Sequence, residues 1–217
     1  MNTIKALIFD LDGVLVSTEH NHFLAWKRIA DTLNIPFNEN ENELLKGLSR
    51  EKSLETLLSL DNRQVSASEF EELLRVKNEA YLNSVAHLSP QDCLPGVTEL
   101  IDAAKKANLK LAVGSASRNA KLILQRIELD SVMDTVVDGH AVKKTKPDPE
   151  VFLRAAKNLQ LSPAECLVFE DAESGVQAAL DGGFMVIGVG NPSLKNKVSR
   201  YIPSLHNFNL NEYEILG

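Results

Sequence analysis

The chain has 217 residues, 44% of them hydrophobic, which is enough for one large domain, or a domain with an insertion, around a substantial core. With 30 acidic against 23 basic residues it carries a formal net charge of −7 and has no basic run, which excludes nucleic acid and anionic membrane surfaces as expected partners. No apolar run approaches the ~20 residues needed to span a bilayer. The opening Met1-Asn-Thr-Ile-Lys5 has no signal-peptide pattern, so a cytoplasmic location is expected. Cys93 and Cys166 lie far apart without Cys or His neighbours at ligand spacing, so they read as structural thiols rather than a zinc site or a disulfide.

Ala6 to Phe9 is a continuous apolar run of the kind that forms a strand buried on both faces of a parallel sheet. The next clear strand, Leu109 to Gly114, comes nearly a hundred residues later, far more than a crossover helix needs. The intervening apolar spacing is helical. Phe23, Trp26, Ala30 and Leu33 form one stripe; Leu54, Leu57 and Leu58 a second; Phe70, Leu73, Leu74 and Tyr81 a third. Ser68 with Glu71 is the expected capping box of the third helix. A helical insertion over residues 18–88 is therefore predicted, with its return linker near Leu88 to Pro95, where Ser-Pro and Pro-Gly mark irregular chain.

From there helix and strand alternate, as a parallel sheet requires. Val97, Leu100, Ile101 and Ala104 define a helix before the Leu109 strand, and Ile123, Leu124 and Ile127 define another after it. Val136-Val137 is a short strand, and Asp148-Pro149 reads as N-cap and first-turn proline of a helix carrying Val151, Phe152, Ala155, Ala156 and Leu159. Cys166 to Phe169 is a strand, Val176 to Leu180 a helix stopped by Gly182-Gly183, and Phe184 to Val189 the last strand. Beyond Asn191 the pattern is weak, and the tail either closes the sheet edge or trails from it. The fold class is α/β, a Rossmann-like parallel sheet core with an inserted helical domain, the core being residues 1–17 and 89–217.

Polar residues follow each strand directly. Asp10 emerges at the carboxyl end of the first strand, where open α/β sheets place ligands. There it can act as a nucleophile towards phosphorus, while Asp12 handles a hydroxyl proton and Gly13 permits a tight turn. Ser115-Ala116-Ser117 offers hydroxyl and N–H donors to a phosphoryl oxygen, although such serines also serve as ordinary turn formers. Lys146, before Pro147, can balance charge on Asp10 and a phosphate. Glu170-Asp171 adds two acidic groups near Asp10 and Asp12, a costly cluster unless a cation joins them, and all-oxygen ligation suits Mg²⁺.

In that order, Asp10-Leu-Asp12, Ser115, Lys146 and Glu170-Asp171 resemble the four-part signature of the haloacid dehalogenase superfamily, most of whose members transfer phosphoryl groups through an aspartyl-phosphate. The stretches Phe23-Leu-Ala-Trp26, Leu45-Lys-Gly-Leu-Ser-Arg50-Glu-Lys-Ser-Leu54, Val76-Lys77-Asn78 and Gly114-Ser-Ala-Ser-Arg-Asn119 resemble the β-phosphoglucomutase family.

That resemblance implies a mobile helical cap formed by residues 18–88 and an Mg²⁺-dependent isomerisation of β-glucose 1-phosphate to glucose 6-phosphate, primed by β-glucose 1,6-bisphosphate. Asp10 would be nucleophile and metal ligand, Asp12 the general acid and base and part of the metal set, and Glu170 and Asp171 would complete the metal site. Thr18 would lie at the hinge. Gly47, Arg50, Lys77, Ser115, Ala116, Ser117, Asn119 and Lys146 would contact phosphate or sugar. His22 would orient or relay protons near Asp12, or flank the Phe23 stripe; Trp26 would face the sugar or fill the core. Ser17 departs from the family, which often has an acid there. The partners expected are small sugar phosphates, and a monomer is expected. The rival reading is a sugar-phosphate phosphatase, with the same core residues and water as acceptor; an aspartate-bearing receiver module needs less than is present.

Overall fold

The computed structural model describes residues 3–213. Strand β1 (Ala6–Phe9) is buried at every residue and lies at the centre of a six-stranded sheet. It is flanked by β2 (Lys110–Gly114) and β4 (Cys166–Glu170). Beyond these lie β3 (Thr135–Val137) on one side, and β5 (Met185–Val189) and β6 (Arg200–Ile202) on the other. Every pairing is parallel. Phe9 is in register with Val113 and with Phe169. The polar residues that follow these three strands therefore emerge side by side at one sheet edge, the place where an open α/β sheet holds its ligands.

Strand alternation divides the core in two. Leu7, Phe9, Leu167 and Phe169 point to the face covered by α5 (Val97–Lys106) and α6 (Ala120–Arg126). Ala6, Ile8, Cys166 and Val168 point to the face covered by α7 (Glu150–Asn158) and α8 (Glu173–Asp181). Both cysteines are free thiols.

Four α-helices lie between β1 and α5. Named for their place ahead of α5, they are α1 (Glu19–Leu33), α2 (Glu39–Glu43), α3 (Arg50–Ser59) and α4 (Ala67–Ser84). The three stripes visible in the sequence meet here: Trp26, Ile29, Leu33, Leu54, Leu57, Leu73 and Leu74 form a hydrophobic cluster separate from the two under the sheet. The chain enters and leaves this bundle through adjacent segments, with Val16 bridged to Cys93 and Leu94 N–H donating to Leu15 O at 3.0 Å.

Three details differ from, or complete, the sequence reading. Helix α4 starts two residues earlier than expected: Ser66, in extended backbone, is the cap and accepts from Glu69 N–H at 3.3 Å, while Ser68 lies inside the first turn. Helix α7 starts at Glu150, with Pro149 as its half-helical flanking residue; Asp148 Oδ1 still accepts from Glu150 N–H at 3.0 Å, so it caps from one position further out. The tail closes the sheet edge, β6 pairing with β5, and Phe208 sets its ring edge-on against Phe169 at 5.0 Å. Among the described residues no helix is long and apolar enough to cross a membrane.

Candidate active site

A cleft between the inserted helices and the sheet edge is lined by Asp10, Asp12 and Asp171 from the core and by Trp26, Arg50 and Lys77 from the insertion. His22, Gly47, Ser115, Ala116, Ser117 and Asn119 complete its wall among the residues expected from the sequence. Ser17 is exposed and outside it.

At its floor, oxygens of Asp10, Glu170 and Asp171 lie within 4.8 Å of one another, close enough to share one cation. Lys146 is 1% exposed, and its Nζ lies 2.5 Å from Asp10 Oδ1 and 2.8 Å from Glu170 Oε2. Burial alone would depress this ammonium; the charges of Asp10 and Glu170 outweigh it and hold the lysine above its ordinary value. Burial pushes Glu170 up to about 7, and burial together with the Glu170 charge pushes Asp171 well above the carboxylate range. One ammonium is thus too little positive charge for three buried carboxylates, and a hard divalent cation with oxygen ligands fits the deficit. The Asp12 carboxylate stands outside this group. Gly13, at φ +83°, lets the loop pass beside Asp171, because a Cβ there would run into its carboxylate.

Asp12 faces the insertion instead. Thr18 is completely buried at the N-terminus of α1, and its hydroxyl caps no helical N–H but donates to Asp12 Oδ1. Burial, and next the charge of Asp10, push Asp12 up to about 7, where a carboxyl can both take and return a proton near neutrality. His22 Nε2 lies 3.9 Å from Asp12 Oδ1, and its ring lies 4.0 Å from that of Tyr81, so it turns to the cleft. Lys77 is 3% exposed and donates to His22 Nδ1 at 2.8 Å, with its Nζ 4.8 Å above the Trp26 ring. The lysine therefore reaches into the cleft rather than out to solvent. Trp26 packs in the bundle cluster, as the core reading expected, and also lines the cleft.

Opposite the carboxylates, Ser115 is buried and its hydroxyl accepts from Ser117 N–H at 3.1 Å; Ser117 Oγ accepts from Asn119 N–H at 3.2 Å. These bonds shape the loop after β2 and leave the serine O–H groups free to donate. Arg50 begins α3, and it and Arg118 both line the cleft; burial, and next the charge of Arg118, lower its pKa. Two guanidinium groups close enough to feel each other's charge in one cleft are suited to an anion there.

Sequence reasoning missed several residues. Arg118 stands in a quoted motif but had no assigned role; it pairs with Glu51 at 2.6 Å. Lys46, next to Gly47, pairs with Glu19 at 3.2 Å and with Glu43 at 2.9 Å. Asn78 accepts from Asn119 Nδ2 at 3.0 Å, Ser174 donates to Lys46 O at 3.2 Å, and Asn191 donates to Asp171 O at 3.0 Å. Apart from Lys46 with Glu43, these pairings join residues far apart in sequence, for which no local pattern exists.

A buried nucleophilic carboxylate at a strand end, a lysine held against it, an acidic cation site and a hydroxyl-bearing loop define a phosphoryl-transfer centre on a parallel α/β sheet. Residues 4–183 match the model of the haloacid dehalogenase-like hydrolase family, and the chain belongs to that family. It is 44% identical over 189 residues to the beta-phosphoglucomutase of Bacillus subtilis (strain 168), covering 86% of this chain and 84% of that protein. It is 31% identical over 182 residues to the phosphorylated carbohydrates phosphatase of Thermotoga maritima, covering 83% and 82% respectively. The crystal structure of beta-phosphoglucomutase from Clostridium difficile superposes with a TM-score of 0.93 at 33% identity, over 97% of this chain and 95% of that one.

Proposed function

We propose that the protein is a β-phosphoglucomutase, which interconverts β-D-glucose 1-phosphate and D-glucose 6-phosphate through an aspartyl-phosphate and β-glucose 1,6-bisphosphate. The observation that carries this reading is the pairing of a phosphoryl-transfer floor with a second cationic site formed by Arg50 of the insertion and Arg118 of the loop after β2. Asp10 and Lys146 pair at the floor, while Arg50 and Arg118 both line the cleft, close enough for the charge of Arg118 to lower the pKa of Arg50. A bisphosphorylated sugar needs both ends held; hydrolysis of a monophosphate does not. The 44% identity to a beta-phosphoglucomutase supports the same reading.

In this mechanism Asp10 attacks a phosphorus of the bisphosphate primer and becomes phosphorylated as the sugar O–P bond breaks, releasing a glucose monophosphate whose oxygen takes a proton from Asp12. Asp12, held by Thr18, takes the proton of the sugar C6 hydroxyl as that oxygen attacks the aspartyl-phosphate, and returns a proton when the sugar C1 oxygen leaves. Arg50 and Arg118 hold the phosphate that is not transferring, so the intermediate can turn over and present its other end. Lys146 and the Ser115 hydroxyl steady charge on the moving phosphoryl group. Asp10, Glu170 and Asp171 would hold Mg²⁺, which when bound supplies charge neutralisation at the phosphoryl oxygens. Residues 18–88 act as the cap that closes over the sugar and excludes water. The expected working form is a cytoplasmic monomer acting on small sugar phosphates.

The test is to incubate the protein with Mg²⁺ and glucose 1,6-bisphosphate and locate the phosphorylated residue by mass spectrometry. Phosphate on Asp10, and no turnover by Asp10→Asn, are expected. Turnover surviving Asp10→Asn would overturn the mechanism.

A further inference from the structure

Besides the bonds of Thr18 to Asp12 and of Arg126 to the Ala86 carbonyl, three side-chain bridges join the insertion to the core around the cleft. Two of them, Arg118 to Glu51 at 2.6 Å and Asn119 Nδ2 to Asn78 at 3.0 Å, lie on the loop after β2, beside the anion site. The third lies across the cleft, where Ser174, at the start of α8 and three residues beyond Asp171, donates its hydroxyl to the Lys46 carbonyl at 3.2 Å. The fit around this bond is close. Gly47 has φ +73°, and a Cβ on it would collide with Ser174 Oγ. The segment held here carries Leu45 and Leu48, both in the cleft wall, and the Lys46 ammonium, 3.2 Å from Glu19.

We propose that Ser174 is a positioning residue that latches the Lys46–Gly47 backbone over the carboxylate side of the cleft and so favours the sugar hydroxyl over water as phosphoryl acceptor. Bridges beside the anion site can tighten when the substrate phosphate binds, because Arg118 and Asn119 face that phosphate. Ser174 faces no substrate group. Its bond depends only on the cap being seated, and on this proposal it closes the Asp171 side of the cleft to water. The consequence for acceptor choice rests on the mutase reading; the latch itself does not.

The test uses the full-length protein with Ser174→Ala, a change that α8 accommodates because alanine is the best helix former. Amide hydrogen exchange is measured over residues 46–48 in both proteins. In parallel, phosphate release and glucose 6-phosphate formation are measured from β-glucose 1-phosphate with Mg²⁺. Loss of one neutral hydrogen bond is expected to speed exchange in that segment by roughly two- to tenfold and to raise the ratio of phosphate release to isomerisation by a similar factor. Gly47→Ala supplies the second arm. Its added methyl meets Ser174 Oγ, whereas in the Ser174→Ala background the neighbours left are Ala172 Cβ at 3.2 Å and the residue 174 Cβ at 3.8 Å. Part of the harm done by Gly47→Ala should therefore be relieved in the double variant. Unchanged exchange in Ser174→Ala, or strictly additive effects in the double variant, would overturn the latch whatever the activity. An unmodified protein that forms no glucose 6-phosphate would overturn the mutase reading and leave the exchange result to decide the latch.

Discussion

Lys77 Nζ lies 2.8 Å from His22 Nδ1, and the ammonium is covered by the rings of Trp26 and Tyr81 at 4.8 and 4.9 Å. A cation so enclosed has lost its water, and its nearest polar partner is an imidazole rather than a carboxylate. Burial, and next the charge of Arg50, lower Lys77 to about 7; burial, and next the charge of Lys77, hold His22 well below its ordinary value. His22 is therefore neutral, accepting on Nδ1 and turning an Nε2–H toward Asp12. The pair links the insertion to the acid–base carboxyl of the core.

This pairing fixes a pH dependence of stability. The folded pKa of Lys77 lies below its unfolded value of about 10.4, so between the two the unfolded chain binds the extra proton and stability rises with pH. Lys77→Met should stabilise the fold by roughly 3–5 kcal/mol below pH 7, and the gain should fade as pH rises towards 10. Urea unfolding of both proteins at several pH values reads this directly, and a gain that does not vary with pH would contradict it.

Lys146 presents the opposite case, a buried ammonium with too many acidic neighbours rather than too few. Lys146→Met should cost about 3–5 kcal/mol, because Asp10 and Glu170 are left as buried, uncompensated charges. Mg²⁺ should restore part of that loss by mass action, more in the variant than in the unmodified protein. Thermal melts with and without Mg²⁺ check this; an equal Mg²⁺ effect in both proteins would count against a cation site at these carboxylates.

Arg50 separates the two chemistries open to this site. Arg50→Ala should lower kcat/KM for β-glucose 1-phosphate by about 10²-fold, the effect of removing a bidentate charge-assisted contact. Hydrolysis of an aryl phosphate, which has no second anion, should change by less than about threefold. Arg50→Lys should recover only part of the loss, since an ammonium lacks the planar fork. Steady-state kinetics on the two substrates give the comparison.

Much of this site was legible because a parallel strand delivers its last residue to the ligand edge. An apolar run that breaks into Asp10, Ser115 or Glu170 thus states both a fold position and a chemical group. The helical insertion was visible from three apolar stripes, and these form one cluster. What stayed hidden has physical reasons. Ser174 and Lys46 are 128 residues apart and meet only through tertiary docking. Ser66 and Ser68 are both sound caps, and local propensity does not say where α4 begins. Strand β6 has three residues and sits at the sheet edge, too short for an alternating pattern. Trp26 resisted a single reading because it has two roles, bundle core and cleft wall.

The most direct measurement is a coupled assay of glucose 6-phosphate formation from β-glucose 1-phosphate, with Mg²⁺ and a trace of glucose 1,6-bisphosphate, while free phosphate is followed in the same samples. Rapid isomerisation with little phosphate release is the predicted result. Phosphate released much faster than glucose 6-phosphate is formed would contradict the mutase reading and make the protein a sugar-phosphate phosphatase on the same catalytic floor.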